Sequence, residues 1–237
     1  LHQAAQPAPE PSPSPGGVVL SRASASLVAA ADAVVPAVVT VMNRSGGSFG
    51  TGSGVVIDRA RGYIATNSHV VERSRSTRAS SDITVVLASG RTLAATVLGN
   101  DPVADVAVIQ VEGPLPAEAV LSKEAFLPIG AAVIAIGTPG ATSTTNPLAN
   151  TVTSGIVSAT GRRIPRIDLS DVVLEDLIQT DASIGPGMSG GPLVLVDTQE
   201  VVGLMTLLVR GDANLGFAIP SATVIRVAER IIADNGG

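Results

Sequence analysis

The 237-residue chain sets 15 Lys and Arg against 20 Asp and Glu, a formal charge of −5, and is 45% hydrophobic with 2% aromatic residues and no Trp. That length and aliphatic composition call for a folded, β-leaning protein with a large Val, Ile, Leu and Ala core, as one domain or as two lobes sharing a site, and the acidic balance without a dense basic block excludes a nucleic-acid footprint. The absence of Cys removes thiolate and disulfide chemistry, two His leave a zinc site resting on carboxylates, and no run of about 18 apolar residues offers a membrane span, so neither a metal nor a cofactor is expected.

Residues 1–17 place Pro at every second position from Pro7 to Pro15 and read as an extended spacer that buries nothing. The chain begins at Leu1, so a leader or membrane anchor would lie upstream of it. From Ser21 to Val35 the apolar positions Leu27, Val28, Ala31 and Val35 stand near helical spacing, and Pro36 ends the segment. Short β-branched runs follow at 37–42, 54–57, 83–87, 92–98 and 105–111, and a second set at 132–137, 151–159, 172–180, 192–196, 201–208 and 215–219. With no helix between members of a set, these runs predict an all-β fold of two antiparallel six-stranded β-barrels flanked by short N- and C-terminal helices.

The implied organisation is a spacer over 1–17, the N-terminal helix and first barrel over 18–111, a connection over 112–125, the second barrel over 126–220, and a closing helix and tail over 221–237. Ser221 is placed to cap that closing helix, whose Val224, Ile225, Ala228, Ile231 and Ile232 stripe is expected to pack on the second barrel. The glycines of 50-GTGSG-54 lack both a dinucleotide fingerprint and a phosphate-loop Lys and read as a barrel turn. Arg73, Arg75 and Arg78 read as a solvated loop.

The segment 187-GMSGGPL-193 sets a Ser among glycines between two apolar strands, where glycine freedom lets backbone N–H groups converge on one point. The same spelling occurs in a nucleophile elbow, which needs a His after the Ser, and none follows Ser189. His2 lies in the spacer, which leaves His69, in 64-IATNSHVVE-72, as the candidate base. An imidazole base needs an acceptor to fix its tautomer. Asp105 opens the apolar run 105-DVAVIQV-111, where a carboxylate is costly without a strong partner, whereas Asp101 before Pro102 reads as a turn.

The strings 66-TNSHVV-71, 105-DVAVI-109, 137-GTPG-140, 151-TVTSGIVSATGR-162, 179-QTDASIGPGMSGGPLV-194 and 216-GFAIPS-221 together resemble the protease domain of the HtrA/Deg family of trypsin-like serine peptidases, from about residue 21 onward. The sequence to Gly237 holds that domain without the PDZ domain many members append. The resemblance implies a double β-barrel with the site between barrels, and cleavage of unfolded or misfolded polypeptides in extracytoplasmic quality control, in the periplasm or cell envelope. It assigns Ser189 as nucleophile, His69 as general base and acid, Asp105 as orienting carboxylate, and the N–H groups of Gly187 and Ser189 as the oxyanion hole. It also implies that Ser183, six residues before the nucleophile, floors the primary pocket, and that Thr206, Leu207 and Leu208 border the bound substrate strand. A small neutral residue at 183 gives no counter-charge for Lys or Arg, so cleavage after small or medium aliphatic residues is expected.

Three positions depart from the pattern, with Gly185 and Met188 where the family usually has Asn, and Met205 where it has a polar residue. Met188 cannot capture a new N-terminal amine, and Gly185 beside Pro186 leaves room for an oxyanion loop that orders on substrate binding. These departures keep a second reading open, a resting or inactive homologue that uses its barrels as a peptide-binding or chaperone-like module. Trimers, common in the family, rest on aromatic contacts, and this chain has only Phe49, Phe126, Phe217 and Tyr63, so the trimer is the weakest of these implications.

Overall fold

A computed structural model of the chain describes residues 20–45, 48–72, 82–124, 126–139, 150–165, 172–208 and 215–236. The spacer over 1–17, the arginine-bearing loop, residues 140–149 and the side chains of Leu207 and Leu208 lie outside that description.

Helix α1 spans Arg22–Val34, close to the predicted segment. Ser21 caps it by accepting a hydrogen bond from the Ser24 N–H at 3.1 Å, one of the donors a helix start leaves without a partner. Six strands then follow: β1 Val38–Ser45, β2 Ser48–Asp58, β3 Tyr63–Thr66, β4 Asp82–Val86, β5 Thr92–Asp101 and β6 Val106–Val111. They close into a barrel in the order β1-β2-β3-β6-β5-β4, with β1 also paired to β4. The second barrel holds β7 Ala132–Gly137, β8 Thr151–Pro165, β9 Val173–Thr180, β10 Pro192–Leu195, β11 Val201–Leu208 and β12 Gly216–Pro220. Its order, β10-β11-β12-β9-β8-β7, is the same path as the first barrel's read from the other end, so one topology is used twice. Closure removes the exposed edges that two open sheets of this length would present.

Strand β3 was visible in sequence only as the apolar run before His69. All four of its residues are buried, so it lacks the alternation that marks a half-exposed strand. By contrast β4 alternates between exposed or half-buried and buried positions along its length.

The connection between barrels is an extended tie. Leu115 and Ala119 donate to the carbonyls of Arg59 and Val56 on the first barrel's side, while the Ser122 N–H and the Val120 carbonyl both pair with Val201 of β11. The closing helix α3, Ser221–Asp234, corrects two expectations. Ser221 is its first helical residue and does not cap it; its hydroxyl donates to the Ser122 carbonyl at 2.6 Å, fastening the helix start to the connection. Nor does the helix stay on the second barrel: it packs on β5 and β6 as well as on β11 and β12, with Val224, Val227, Ala228 and Ile231 buried. Gly99 of β5 makes the passage possible, because a Cβ there would stand 3.0 Å from Ile231 Cγ2. Arg230 ends the stitch with a 2.6 Å ion pair to Asp101.

Candidate active site

His69 lies on α2, the single turn Ser68–Val71 that follows β3, and Asp105 ends the turn that leads into β6. Strands β3 and β6 are antiparallel neighbours with Thr66 opposite Ala107, so the residues just beyond one and just before the other emerge at the same end of the first barrel. The sequence separation of His69 and Asp105 therefore collapses to contact. Asp105 is wholly buried, and His69 Nδ1 stands 2.9 and 3.0 Å from its two carboxylate oxygens. The His69 backbone N–H also donates to Asp105 Oδ1 at 3.1 Å. A carboxylate only accepts, so Nδ1 carries a proton, and in the neutral imidazole Nε2 is then the nitrogen with the lone pair.

Asp105 holds this position with φ at +54°, in the left-handed region that Asp tolerates better than most residues. Its backbone is pinned by the buried Asn67, whose amide donates to the Asp105 carbonyl at 2.9 Å. Asp101, the nearest rival, is occupied elsewhere. It accepts from the Val103 and Ala104 N–H groups at 3.0 Å and pairs with Arg230. Burial pushes its carboxyl up, but the Ala104 N–H, the Arg230 guanidinium and the Val103 N–H outweigh that and hold it below the ordinary carboxylate range.

The second barrel supplies Ser189, in the tight turn between β9 and β10. Gly187 at φ +96° and Gly190 at φ +85° flank it, conformations that a side chain would strain. The Met188 N–H donates to the Gly185 carbonyl at 3.0 Å and the Gly190 N–H to the Met205 carbonyl at 2.8 Å, so the loop is tied internally and to β11. Among the described residues, the N–H groups of Gly187 and Ser189 have no protein acceptor. Met188 and Met205, two of the departures from the family pattern, are fully buried in the apolar cluster of the second barrel, where they support the loop with packing.

Thr206 belongs to the site in a way its sequence position does not reveal. The pairing of β11 with β12 slips between Met205 and Leu207, which leaves Thr206 as the bulged residue. The bulge turns its side chain into the seam, where the hydroxyl donates to Asp105 Oδ2 at 2.5 Å, while its carbonyl accepts from the Ser189 hydroxyl at 3.1 Å. Ser183 is exposed, with its carbonyl taking the Thr153 hydroxyl at 2.8 Å. Next to it Ile184 packs tightly over Gly216, where an added Cβ would stand 2.4 Å from Ile184 Cδ1. Ile184 was missed in the sequence because an isolated Ile beside a Gly-Pro pair carries no motif. Leu207 and Leu208 pair through their backbones with Phe217 and Gly216 of β12.

Comparison with known proteins follows the same outline. A family profile described as a trypsin-like peptidase domain matches residues 52–204, a span that includes His69, Asp105 and Ser189. The periplasmic serine endoprotease DegP of Salmonella typhimurium is 40% identical over 185 residues, covering 76% of this chain and 35% of that protein. DegP of Escherichia coli K12 is 38% identical over 185 residues, with the same coverage. The periplasmic pH-dependent serine endoprotease DegQ of Escherichia coli K12 is 35% identical over 187 residues, covering 77% of this chain and 37% of that protein. The chain thus spans about a third of the length of the curated relatives it matches.

Proposed function

This chain belongs to the trypsin-like peptidase family, and on that premise we propose that it is a serine endopeptidase working through an acyl-enzyme, with Ser189, His69 and Asp105 as its triad. One observation carries the reading. Thr206 touches both ends of the assembly, Asp105 through its hydroxyl and Ser189 through its backbone carbonyl, so residues from two barrels are held by a single residue.

In the proposed reaction, Ser189 Oγ attacks the scissile carbonyl and gives its proton to His69 Nε2, the nitrogen left to act as base when Asp105 fixes the proton on Nδ1. The buried carboxylate then balances the imidazolium. The N–H groups of Gly187 and Ser189, without protein acceptors among the described residues, face the developing oxyanion, a donor type whose loss costs about 2.7–4 kcal/mol in the transition state. His69 returns the proton to the leaving amine, and a water deprotonated by the same nitrogen hydrolyses the ester.

The substrates proposed are unfolded polypeptides cleaved after small or medium aliphatic residues. The exposed, uncharged Ser183 and the apolar Ile184 against Gly216 support that preference. A peptide panel varied at the residue before the scissile bond tests it, and a strong preference for Arg or Lys would refute it. The names of the periplasmic relatives support an extracytoplasmic location, and a role in protein quality control is the part of the proposal that rests on the HtrA/Deg-like motifs of the sequence. Hydrolysis of unfolded casein by the wild-type chain, and none by Ser189→Ala, is the expected result for the activity itself. Failure of the wild type both to cleave and to be labelled stoichiometrically by an organophosphonate would favour a peptide-binding module.

A further inference from the structure

Resting on the serine-peptidase reading, we propose that Ser53 is a positioning residue that sets the oxyanion hole of the second barrel from within the first. Ser53 lies in β2, in the glycine-rich stretch read from sequence as a barrel turn, and is wholly buried. Every polar group it has is engaged across or along the seam. Its N–H donates to the Ser189 carbonyl at 2.7 Å, and its hydroxyl donates to the Gly187 carbonyl at 2.9 Å. The Thr138 N–H donates to that hydroxyl at 3.0 Å, and the Thr66 hydroxyl donates to the Ser53 carbonyl at 2.7 Å.

The two carbonyls Ser53 holds belong to Gly187 and Ser189, the residues whose own N–H groups have no acceptor among the described residues. The direction of the hydroxyl is unambiguous. Thr138 can only donate, so the Ser53 oxygen accepts there and its single proton goes to Gly187. The peptide plane between Gly187 and Met188 is thereby fixed at both ends, its carbonyl by Ser53 and its N–H by the Gly185 carbonyl. Gly187, at φ +96° and with no Cβ, has little preference of its own, and the plane bearing its N–H is strung between the Pro186 ring and this clamped plane.

The surrounding glycines show how closely the clamp is built. A Cβ on Gly137 would stand 2.9 Å from the Ser53 hydroxyl, and one on Gly190 would stand 2.1 Å from the Ser53 carbonyl oxygen. Packing alone would not require a serine here. The hydroxyl is matched to one donor and one acceptor, both backbone groups of the other barrel.

Ser53→Ala removes the hydroxyl, and with it the bonds to the Gly187 carbonyl and the Thr138 N–H, and leaves the bonds of Ser53's own backbone in place. The expected result is a loss of kcat on the order of 10- to 100-fold with KM nearly unchanged, because donors misplaced by a fraction of an ångström fail only when the oxyanion forms. Binding of a peptidyl boronate, whose adduct puts an oxygen on those donors, weakens by the same factor, and hydrogen exchange of the Met188 amide accelerates. Ser53→Cys, close in volume but a weak donor, gives the same readouts with a smaller loss should the Ala variant not fold. A variant that is less stable yet keeps wild-type kcat, boronate affinity and Met188 exchange overturns the proposal. A wild type that neither cleaves nor binds boronate sinks the peptidase reading instead, and Met188 exchange in the Ser53 variants then decides the clamp alone: unchanged exchange refutes it, accelerated exchange upholds it.

Discussion

Asp105→Asn tests the proposed chemistry with the least disturbance to the fold, since Asn matches Asp in volume and shares its tolerance of the φ of +54° found there. The carboxylate faces donors on both oxygens: the His69 backbone N–H at 3.1 Å on Oδ1, the Thr206 hydroxyl at 2.5 Å on Oδ2, and Nδ1 at 3.0 and 2.9 Å between them. An amide must place its NH₂ on one side. The backbone N–H cannot reverse, whereas the Thr206 hydroxyl can rotate to accept, so the NH₂ settles toward Thr206 and Nδ1. Nδ1 then has to accept, which moves the imidazole proton to Nε2 and removes the base that Ser189 needs. The analogous change in a comparable triad lowers kcat by about 10⁴, or about 5.4 kcal/mol at 1.36 kcal/mol per decade. Steady-state hydrolysis of a peptide substrate, with thermal unfolding measured on the same preparations, should show that loss in kcat with KM and the unfolding midpoint little changed. A folded Asn variant keeping about a tenth or more of the wild-type kcat would refute the tautomer argument.

Thr206→Val keeps the shape but removes a donor to a charged acceptor, and should lower the unfolding free energy by about 1.5–3 kcal/mol together with kcat, with Thr206→Ser restoring both; denaturant titration and kinetics read the two effects. Gly190→Ala puts a Cβ 2.1 Å from the Ser53 carbonyl oxygen and 2.4 Å from Thr66 Oγ1 at φ +85°, and a destabilisation of about 3 kcal/mol or more is expected in denaturant melts; a near-neutral result would show that the turn can move. Asp101, whose carboxyl is held low, contributes stability above the unfolded carboxylate value near 3.9 and loses it as pH falls through the lower folded value. Wild type should therefore exceed Asp101→Asn in stability by a constant margin from neutral pH down to about 4, and that margin should shrink below it, as denaturant midpoints at stepped pH will show.

The barrels and the residues proposed as the triad were legible because their signals are local. Alternating β-branched runs bounded by Gly, Asp and Asn mark strands such as β4, a Ser among glycines marks a strained loop, and one usable His leaves no choice of base. What stayed hidden depends on geometry that no short window contains. Nothing in 201-VVGLMTLL-208 announces that a bulge will put the Thr206 hydroxyl onto Asp105. Ser53 sits in a string whose glycines dominate any reading, and its partners Gly187 and Thr138 are 134 and 85 residues away. The closing helix showed its apolar stripe but not its destination, because Ile231 packs against a glycine of the other barrel.

These hidden contacts share a pattern that explains why the site lies where it does. The first barrel carries His69 and Asp105, and the second barrel's Thr206 completes the shell around that carboxylate. The second barrel carries Ser189 and Gly187, and the first barrel's Ser53 grips both of their carbonyls. Under the proposed mechanism each half thus fixes the chemistry of the other, so neither barrel folded by itself would present its part of the site in working geometry. The same seam is buttressed by the buried Thr40 and Thr138 hydroxyls, 2.7 Å apart, and bridged by α3. A small displacement of one barrel against the other would therefore loosen the base and the oxyanion donors together, so regulation acting on this seam would govern proton transfer and oxyanion binding as one unit.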